Sequence, residues 1–331
     1  MVAWDQQLND PGLESLSEVL NPRALAGHLR GVCLGDSNAG AVEEVRVIRV
    51  LKHHLGSRCT LEIGWRGDGG WHSFVAKVYS EDRPDVLQAM ERIQAAGFGP
   101  QEAYSIPRPL AYLPSLRLFL QEKVEGPLAK EIFNAGDARS RAAAAERCAR
   151  WLGRYHAFGP KAGPVFKLEE FLDVLRKRTR KIVKLKGRCG PKAERLLQWL
   201  EESAGTLQPV ELCAGHGSFS PAQLILAEGR TVTVDWDGCD VADPARDVAR
   251  FLYALRRWAL DKLESVRALD EAAEVFWNTY RTSGPALVHT NLLYYNVASC
   301  LKLARTVPHW QEQSEIMLDE GLGLLGQDFG I

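Results

Sequence analysis

The chain has 331 residues, 46% of them hydrophobic, which is enough to bury a sizeable core in one large domain or two closely packed ones. Lysine and arginine number 41 against 42 acidic residues, and the formal net charge of −1 excludes an overall electrostatic preference for nucleic acid or membrane as partner. The seven cysteines have no CxxC spacing, which excludes common zinc and redox motifs and favours reduced thiols and a cytoplasmic location. The sequence shows neither an export signal nor an apolar run of membrane-spanning length.

The first part of the chain is predicted to contain mainly short strands. Apolar spacing at Leu13, Leu16, Val19, Leu25 and Leu29 predicts a helical pair, interpreted as an N-terminal extension over residues 1–41. One further helix, over residues 85–96, is predicted to end at Gly97. The predicted strands cover residues 45–51, 59–65, 73–79 and 116–124.

From residue 126 onward, helical periodicity dominates. A strand pair over residues 224–227 and 231–235 is the exception, with a three-residue turn between the strands. The pattern predicts an α+β chain in which a small antiparallel β lobe (residues 42–125) precedes a larger helical lobe (residues 126–331). The predicted helices cover residues 139–158, 168–186, 191–204, 247–283 (as two helices) and 287–303.

Three motifs in the helical part carry a family resemblance. The chain reads His216-Gly217-Ser218-Phe219-Ser220-Pro221-Ala222-Gln223, then Val234-Asp235-Trp236 at the end of a strand, then Asp243-Pro244-Ala245-Arg246-Asp247. This order and spacing resembles the aminoglycoside phosphotransferase and choline kinase branch of the protein-kinase-like superfamily, which also includes maltokinases. The resemblance covers about residues 42–285 and implies a two-lobed, protein-kinase-like fold that binds Mg-ATP in the cleft between the lobes.

The resemblance also assigns roles to individual residues. His216 and Ser218 occupy catalytic-loop positions, and Asp235 matches the strand-end aspartate that holds Mg²⁺. Gln223 stands where the family usually has asparagine and is expected to supply a second metal ligand through its amide oxygen. Ser220 replaces a second histidine. The implied reaction is transfer of the ATP γ-phosphate to a hydroxyl of a small molecule, a sugar or an amino alcohol.

Ser218 leaves the mechanism open, because the family has an acidic residue at this position. A serine hydroxyl cannot act as a general base near neutral pH. One alternative is a slow or unconventional kinase, in which a neighbour such as Asp237 or Asp240 takes the proton. A second is a catalytically inactive pseudokinase that binds nucleotide as a sensor or scaffold. A third is a kinase that modifies a protein.

The segment Phe74-Val75-Ala76-Lys77-Val78-Tyr79 resembles the third-strand lysine motif of kinases. The resemblance implies that Lys77 contacts the α- and β-phosphates, although a lone lysine in a strand is more often a solvated surface residue. Its acidic partner is expected on the following helix, where Asp85 is preferred over Glu91.

Two further segments are candidates for nucleotide binding. The turn Leu55-Gly56-Ser57-Arg58 is expected to cover phosphates through the Gly56 amide and the charge of Arg58, or else to be a simple tight turn. The strand over residues 118–126 resembles the kinase hinge, whose backbone near Glu122 and Val124 would bind a purine.

Two other features have ordinary interpretations beside functional ones. His156 is interpreted as a packed helix residue rather than a catalyst. Residues 176–195 contain ten lysines and arginines and one acid, which predicts either a solvated helix face or a surface for an anionic ligand or a protein partner.

Overall fold

A computed structural model describes residues 8–30, 32, 42–67, 70–285 and 288–326. The chain divides into two compact units, Met1–Glu125 and Gly126–Ile331. Parts of the predicted N-terminal extension, and residue 287 at the start of a predicted helix, lie outside the described residues. Within the described ranges, no helix combines the length and the apolar character needed to span a bilayer.

The first unit contains a five-stranded antiparallel sheet, in the order β1-β2-β3-β6-β5. All four predicted strands are present. The prediction missed a short strand, β4, and also β5, whose proline-rich surroundings resemble a loop. The strands are β1 (Glu44–His54), β2 (Arg58–Gly67), β3 (Gly70–Tyr79), β4 (Tyr104–Ser105), β5 (Pro109–Leu113) and β6 (Leu118–Glu122).

The described part of this unit contains three α-helices: α1 (Leu16–Leu20), α2 (Pro22–Leu29) and α3 (Pro84–Ile93). Leucines and valines of α1 and α2 share one hydrophobic core with residues of β1, β2 and β3, so the predicted helical pair packs against the sheet. Asn21 caps α2 by accepting the amides of Arg23 and Ala24. Gly97, at φ 92°, adopts the left-handed backbone that glycine favours, just after α3.

The second unit is mainly helical, as predicted, and the region over residues 247–283 does form two helices. The first of these begins earlier than predicted, because Asp243 caps it and Pro244 occupies its first turn. The prediction missed α4. The helices are α4 (Ala129–Ala135), α5 (Ala138–Phe158), α6 (Leu168–Lys184), α7 (Cys189–Ser203), α8 (Pro244–Leu263), α9 (Asp270–Ser283), α10 (Leu292–Leu303) and α11 (Gln311–Leu325).

Four short strands of the second unit position the predicted motifs. Strands β8 (Leu224–Leu226) and β9 (Thr231–Thr233) form the predicted antiparallel hairpin. Strands β7 (Cys213–Gly215) and β10 (Asp240–Ala242) pair antiparallel on either side of it in sequence. Buried aromatic rings of Trp151, Tyr155, Phe219 and Trp236 pack together beneath these strands, with neighbouring ring centroids 5.0–5.9 Å apart. The chain is thus an α+β protein with an antiparallel β-rich first unit and a helical second unit.

Candidate active site

Strand β7 leads directly into the predicted catalytic loop, and α8 fixes the start of that loop. The carboxylate of Asp247 accepts the His216 amide at 2.6 Å and the Gly217 amide at 3.1 Å. Gly217 has φ 78°, and a Cβ there would overlap the carbonyl oxygen of Gly238. Glycine is therefore required for the loop to approach the segment after β9 so closely.

Asp247 is a functional residue to which the sequence prediction gave no role beyond a helix start. It is buried, and its Oδ2 lies 3.6 Å from Nε2 of His156. Burial by itself would raise the pKa of Asp247, but its interaction with His156 and the charges of Arg246 and His216 outweigh burial and lower that pKa. The signal in the sequence is the second aspartate of the Asp-Pro-x-x-Asp motif, one turn after the capping Asp243.

His156 is a packed helix residue, as predicted. Its Nδ1 lies 2.6 Å from the Tyr280 hydroxyl, and its ring is buried between α5 and α9. It supports the catalytic loop indirectly, through Asp247.

The predicted catalytic residues lie together. His216 is buried against the ring of Trp236, and its Nε2 donates to the Val234 carbonyl at 3.0 Å. When the imidazole is neutral, this bond leaves Nδ1 as an acceptor, and Nδ1 lies 3.4 Å from Oγ of Ser218. Gln223 Nε2 donates to the same Ser218 oxygen at 3.2 Å. The serine hydroxyl is thereby held between an imidazole and an amide.

The two candidate metal ligands lie at the open end of the β8–β9 hairpin. The Val234 amide donates to the Gln223 carbonyl at 2.8 Å, which brings Gln223 close to the residue before Asp235. Asp235 has left-handed backbone angles, φ 73° and ψ 58°, which are rare for residues other than glycine and are concentrated at functional sites.

These residues fit Mg²⁺, which favours oxygen ligands and usually takes only one or two carboxylates beside water and phosphate. The Gln223 amide oxygen accepts the Ser220 hydroxyl at 2.7 Å and retains a second lone pair for a metal. No group of three or more histidines, cysteines or acids within the described ranges is arranged to hold a metal. Phosphate oxygens would therefore have to complete the coordination.

The two alternative bases differ in their surroundings. Burial raises the pKa of Asp240, which would suit a base, but its Oδ2 accepts a hydrogen bond from Arg246 at 2.6 Å. Asp237 lies in the short turn Trp236–Gly238 directly after Asp235. Its other oxygen, Oδ1 of Asp240, is buried and has no hydrogen-bond partner among the described residues, so a base role for Asp240 would use Oδ1.

In the first unit, Lys77 is only 4% exposed, on β3 opposite Thr60 and Phe119. A buried lysine is uncommon, which weakens the surface interpretation. Its preferred partner from the sequence, Asp85, has a side chain that is 62% exposed and is hydrogen-bonded to Arg83 at 2.9 Å. The contacts of Asp85 therefore give no support to its predicted pairing with Lys77, and Glu91 is also exposed.

The first hairpin turn was given two alternative roles, and the hydrogen bonds of Gly56 favour one of them. The Gly56 amide donates to Oδ2 of Asp10 at 2.8 Å, and Asp10 also contacts Nε2 of His53 at 2.7 Å. Gly56 has φ 68°, as a tight turn requires. Because its amide is already bonded to a carboxylate, Gly56 fits the tight-turn alternative better than a phosphate contact, while a role for Arg58 stays a prediction.

The predicted purine-binding backbone near Glu122 and Val124 also has one donor that is already bonded. The Glu122 amide donates to the Arg108 carbonyl at 2.8 Å, so this backbone donor is used within the sheet. β6 ends at Glu122, and the backbone near Val124 continues beyond the strand. The Val124 region therefore stays the candidate for purine binding.

The prediction also missed a buried acid, Glu62, which pairs with Lys123 at 2.8 Å and with Arg49 at 2.7 Å.

The basic segment over residues 176–195 is partly neutralised. Arg176 pairs with Glu169, Asp173 and Glu201. Lys192 pairs with Glu315 and Asp319 of α11.

A family model described as "Phosphotransferase enzyme family" matches residues 64–282, more than half of the chain. The chain belongs to this phosphotransferase family. The predicted recognition of the aminoglycoside phosphotransferase and choline kinase branch is therefore confirmed. A search of curated protein sequences finds no match.

Solved structures of kinases share the fold at low sequence identity, which confirms the kinase-like fold class. A choline/ethanolamine kinase family protein from Mesorhizobium loti has a TM-score of 0.59 at 13% identity, covering 92% of this chain and 95% of that one. A glucosamine kinase in complex with glucosamine, ADP and inorganic phosphate has a TM-score of 0.61 at 15% identity, covering 84% and 81%. A choline kinase from Cryptosporidium parvum Iowa II has a TM-score of 0.61 at 11% identity, covering 92% and 95%.

Proposed function

We propose that this phosphotransferase binds Mg-ATP and transfers the γ-phosphate to a hydroxyl group of a small molecule. The main supporting observation is that Ser218, Gln223 and Asp235 belong to one loop and hairpin, which Asp247 holds in place. Family membership supports phosphoryl transfer as the reaction type. The ADP and phosphate in the glucosamine kinase complex support ATP as the donor, and the names of the neighbours support a sugar or an amino alcohol as the acceptor.

Each candidate residue has a distinct proposed role. Asp235 and Gln223 would hold Mg²⁺, which supplies positive charge to the phosphate oxygens when bound. Lys77 is proposed to contact the α- and β-phosphates, and the backbone near Val124 to bind the purine. Ser218 would orient the acceptor hydroxyl, with His216 accepting a hydrogen bond from the serine.

The absence of a carboxylate at residue 218 need not abolish transfer. The transition state of phosphoryl transfer is loose, so positioning and electrostatics contribute most of the catalysis. General-base assistance typically contributes about 10²–10⁴ in rate. The proposal is therefore a slow kinase, in a reducing compartment such as the cytoplasm, where the six described cysteines would remain the free thiols that the structure shows.

Nucleotide binding is tested by isothermal titration of Mg-ATP into the parent protein, Lys77→Ala and Asp235→Asn. Both variants are expected to bind at least about 10-fold more weakly, because each removes a charge proposed to contact the phosphates or their metal. Glu228→Gln, at the exposed turn of the β8–β9 hairpin, is the matched control. No binding by the parent at millimolar nucleotide would overturn the proposal.

A second candidate function, a nucleotide-binding sensor or scaffold without turnover, is favoured by one observation. The Ser218 hydroxyl is bonded to Gln223 and His216, and the loop carries no acid in its place. A transfer screen with radiolabelled ATP over sugars, amino alcohols and aminoglycosides separates the two functions. Clear nucleotide binding with no labelled acceptor would favour the sensor.

A further inference from the structure

Helices α6, α8 and α10 bring four basic side chains together within the second unit. Arg178 comes from α6, Arg246 and Arg250 come from α8, and Lys302 comes from α10; these four residues form the cationic cluster. Burial, together with the positive charges of Arg250, Arg246 and Arg178, lowers the pKa of Lys302 to about 8. Arg178 also donates to the Ala304 carbonyl, two residues after Lys302, which places α6 beside the end of α10.

Aromatic rings form part of the surroundings of the cluster. The Lys302 ammonium lies 5.2 Å from the centre of the Phe171 ring, and the Arg246 guanidinium lies 4.4 Å from the centre of the Phe166 ring. The two rings are 5.5 Å apart, so they form one continuous surface. Cation–π contacts of this kind hold the basic groups in place without neutralising them.

Acidic partners are scarce in the cluster. Two nitrogens of Arg250, Nε and Nη1, are buried and have no hydrogen-bond partner among the described residues. Arg178 donates to the Ala304 carbonyl, which carries no net charge. Arg246 pairs with Asp240. The negative charge of Asp247 also acts to raise the pKa of Arg250 and of Lys302, but within the described residues Asp247 forms no ion pair with either.

Desolvated charges without partners are costly, and proteins usually pair them. Arg176 and Lys192, on α6 and α7, follow that rule. Arg250 and Lys302 depart from it at a more buried place, where pairing is more valuable. Guanidinium groups also offer the planar set of donors that phosphate and carboxylate groups accept well. The excess of positive charge therefore indicates a site for an anion.

The cluster adjoins the catalytic loop. A Cβ built on Gly217 would lie 3.0 Å from Nη2 of Arg246, so this guanidinium packs against the loop one residue before Ser218. Its partner Asp240 lies opposite Gly215 in the β7–β10 pair. All four cluster residues have intermediate exposure, although Nε and Nη1 of Arg250 are themselves buried.

We propose that the acceptor is a hydroxyl compound that carries a phosphate or a carboxylate group, and that Arg250 and Lys302 bind this anionic group. Arg178 and Arg246 add positive charge, and the bound acceptor presents its hydroxyl near Ser218. A cationic acceptor would be repelled by the same cluster, so of the two acceptor classes proposed above this inference favours a sugar derivative over an amino alcohol. The inference rests on the proposed function for the identity of the bound molecule as an acceptor, while the anion site itself is a property of α6, α8 and α10.

In the transfer, the acceptor oxygen forms a bond to the γ-phosphorus, and the bond from that phosphorus to the β–γ bridging oxygen breaks. ADP leaves with the electron pair, and the acceptor proton passes to solvent water. The anionic group of the acceptor takes no part in bond making. Its role is to hold the hydroxyl in position, which is a large part of what an enzyme contributes to such a reaction.

The binding experiment uses a charge series of probes: glucose 6-phosphate, gluconate, glucose and glucosamine, titrated calorimetrically into the protein. The two anionic probes are expected to bind at least about 10-fold more tightly than glucose, and glucosamine least, because the cluster attracts negative charge. Arg250→Gln and Lys302→Gln should each weaken the anionic probes by about 10-fold or more and leave glucose unchanged. The affinity of Arg250→Lys for the anionic probes should lie between those of the parent and Arg250→Gln. Lys262→Gln, which changes an exposed lysine over the Trp258 ring, should bind all four probes as the parent does.

A second measurement separates this inference from the proposed function. Inorganic phosphate added at saturating Mg-ADP should raise the melting temperature of the parent, since a ligand that binds only the folded state stabilises it. The shift should disappear in the Arg250→Gln, Lys302→Gln double variant. An anion effect without phosphoryl transfer would leave the site standing and refute the kinase. An equal shift in parent and double variant, no response to any anion, or tighter binding of glucosamine than of glucose 6-phosphate would overturn the anion site.

Discussion

The catalytic loop and the cationic cluster adjoin each other beside α8, and they differ in how their polar groups are hydrogen-bonded. In the loop, the groups of His216, Ser218 and Gln223 contact one another or the backbone. In the cluster, Arg250 keeps two buried nitrogens without a partner among the described residues. A self-satisfied network holds a fixed geometry whether or not a ligand is bound, whereas an unpaired cluster gains its missing partner from a ligand. The loop is therefore suited to positioning, and the cluster to the proposed recognition of a ligand.

The largest effect should follow from breaking the network at Asp247. Asp247→Ala removes the acceptor of the His216 and Gly217 amides and the acidic neighbour of His156. Loss of one partner from a buried charged network costs about 3–5 kcal/mol, so the free energy of unfolding should fall by that amount. Urea denaturation followed by circular dichroism measures it.

The control for this variant is Asp247→Asn, which keeps the shape and one acceptor and should lose less. The pH dependence provides a second check. Because the folded-state pKa of Asp247 is lowered, its contribution is present above the ordinary aspartate pKa of about 3.9 and is lost as the pH falls below it. The difference in free energy of unfolding between the parent and Asp247→Ala should therefore become smaller towards pH 2. A deficit independent of pH would show that the carboxylate charge is not what holds the loop.

The next effect sharpens the contrast by restoring an acid to the loop. Ser218→Asp places a carboxylate where the family has one, beside the Gln223 amide that now donates to the serine. If the loop is geometrically intact, phosphoryl transfer should rise by about one to three decades, which overlaps the lower part of the about 10²–10⁴ range of acid–base assistance. The rate of transfer from radiolabelled ATP at saturating nucleotide is the measurement.

Two control variants test whether a negative charge at residue 218 is what raises the rate. Ser218→Asn has a similar shape without the charge and should give no rise. Ser220→Asp puts a carboxylate next to the Gln223 amide oxygen and should lower transfer. A fall in the Ser218→Asp variant would indicate a mechanism adapted to serine. An unchanged rate with intact nucleotide binding would mean that residue 218 lies outside the reacting centre.

The loop was predictable from the sequence because its residues are close in sequence and stand in the order of the family motifs. His216, Ser218, Gln223 and Asp235 lie within one loop and one hairpin, so local spacing brings them together. The second role of Asp247 was harder to see, because the same motif also explains a helix start. It becomes visible only when α8 is placed against β7.

The cluster was not predictable, because its four residues come from three helices far apart in sequence. The densest basic segment, residues 176–195, was predicted as a possible surface for an anionic ligand, but it contains only one of the four residues, Arg178. The structure pairs Arg176 and Lys192 of that segment with acids. The hydrogen bond of the Gly56 amide was not predictable for a similar reason, since its acceptor Asp10 lies in another segment. Charge density along a sequence therefore locates an anion site poorly, and burial without a partner locates it better.

The smallest effect concerns the stability cost of the cluster itself. The pKa of Lys302 is lowered to about 8 by burial and by its arginine neighbours, so between about pH 8 and the ordinary lysine pKa of about 10.4 the unfolded chain binds more protons than the folded one. Stability must then rise with pH across that window, and the destabilisation by the charged Lys302 is complete below pH 8.

Lys302→Met, which keeps the stem over Phe171, should stabilise the protein at pH 7 by about 1–3 kcal/mol. The gain should shrink above pH 8 and should not appear in Lys262→Met, whose lysine is exposed. Urea denaturation of both variants at pH 7 and pH 10 measures it, and a loss of stability in Lys302→Met at pH 7 would show that the cluster is already neutralised within the protein, which removes the reason for a ligand there.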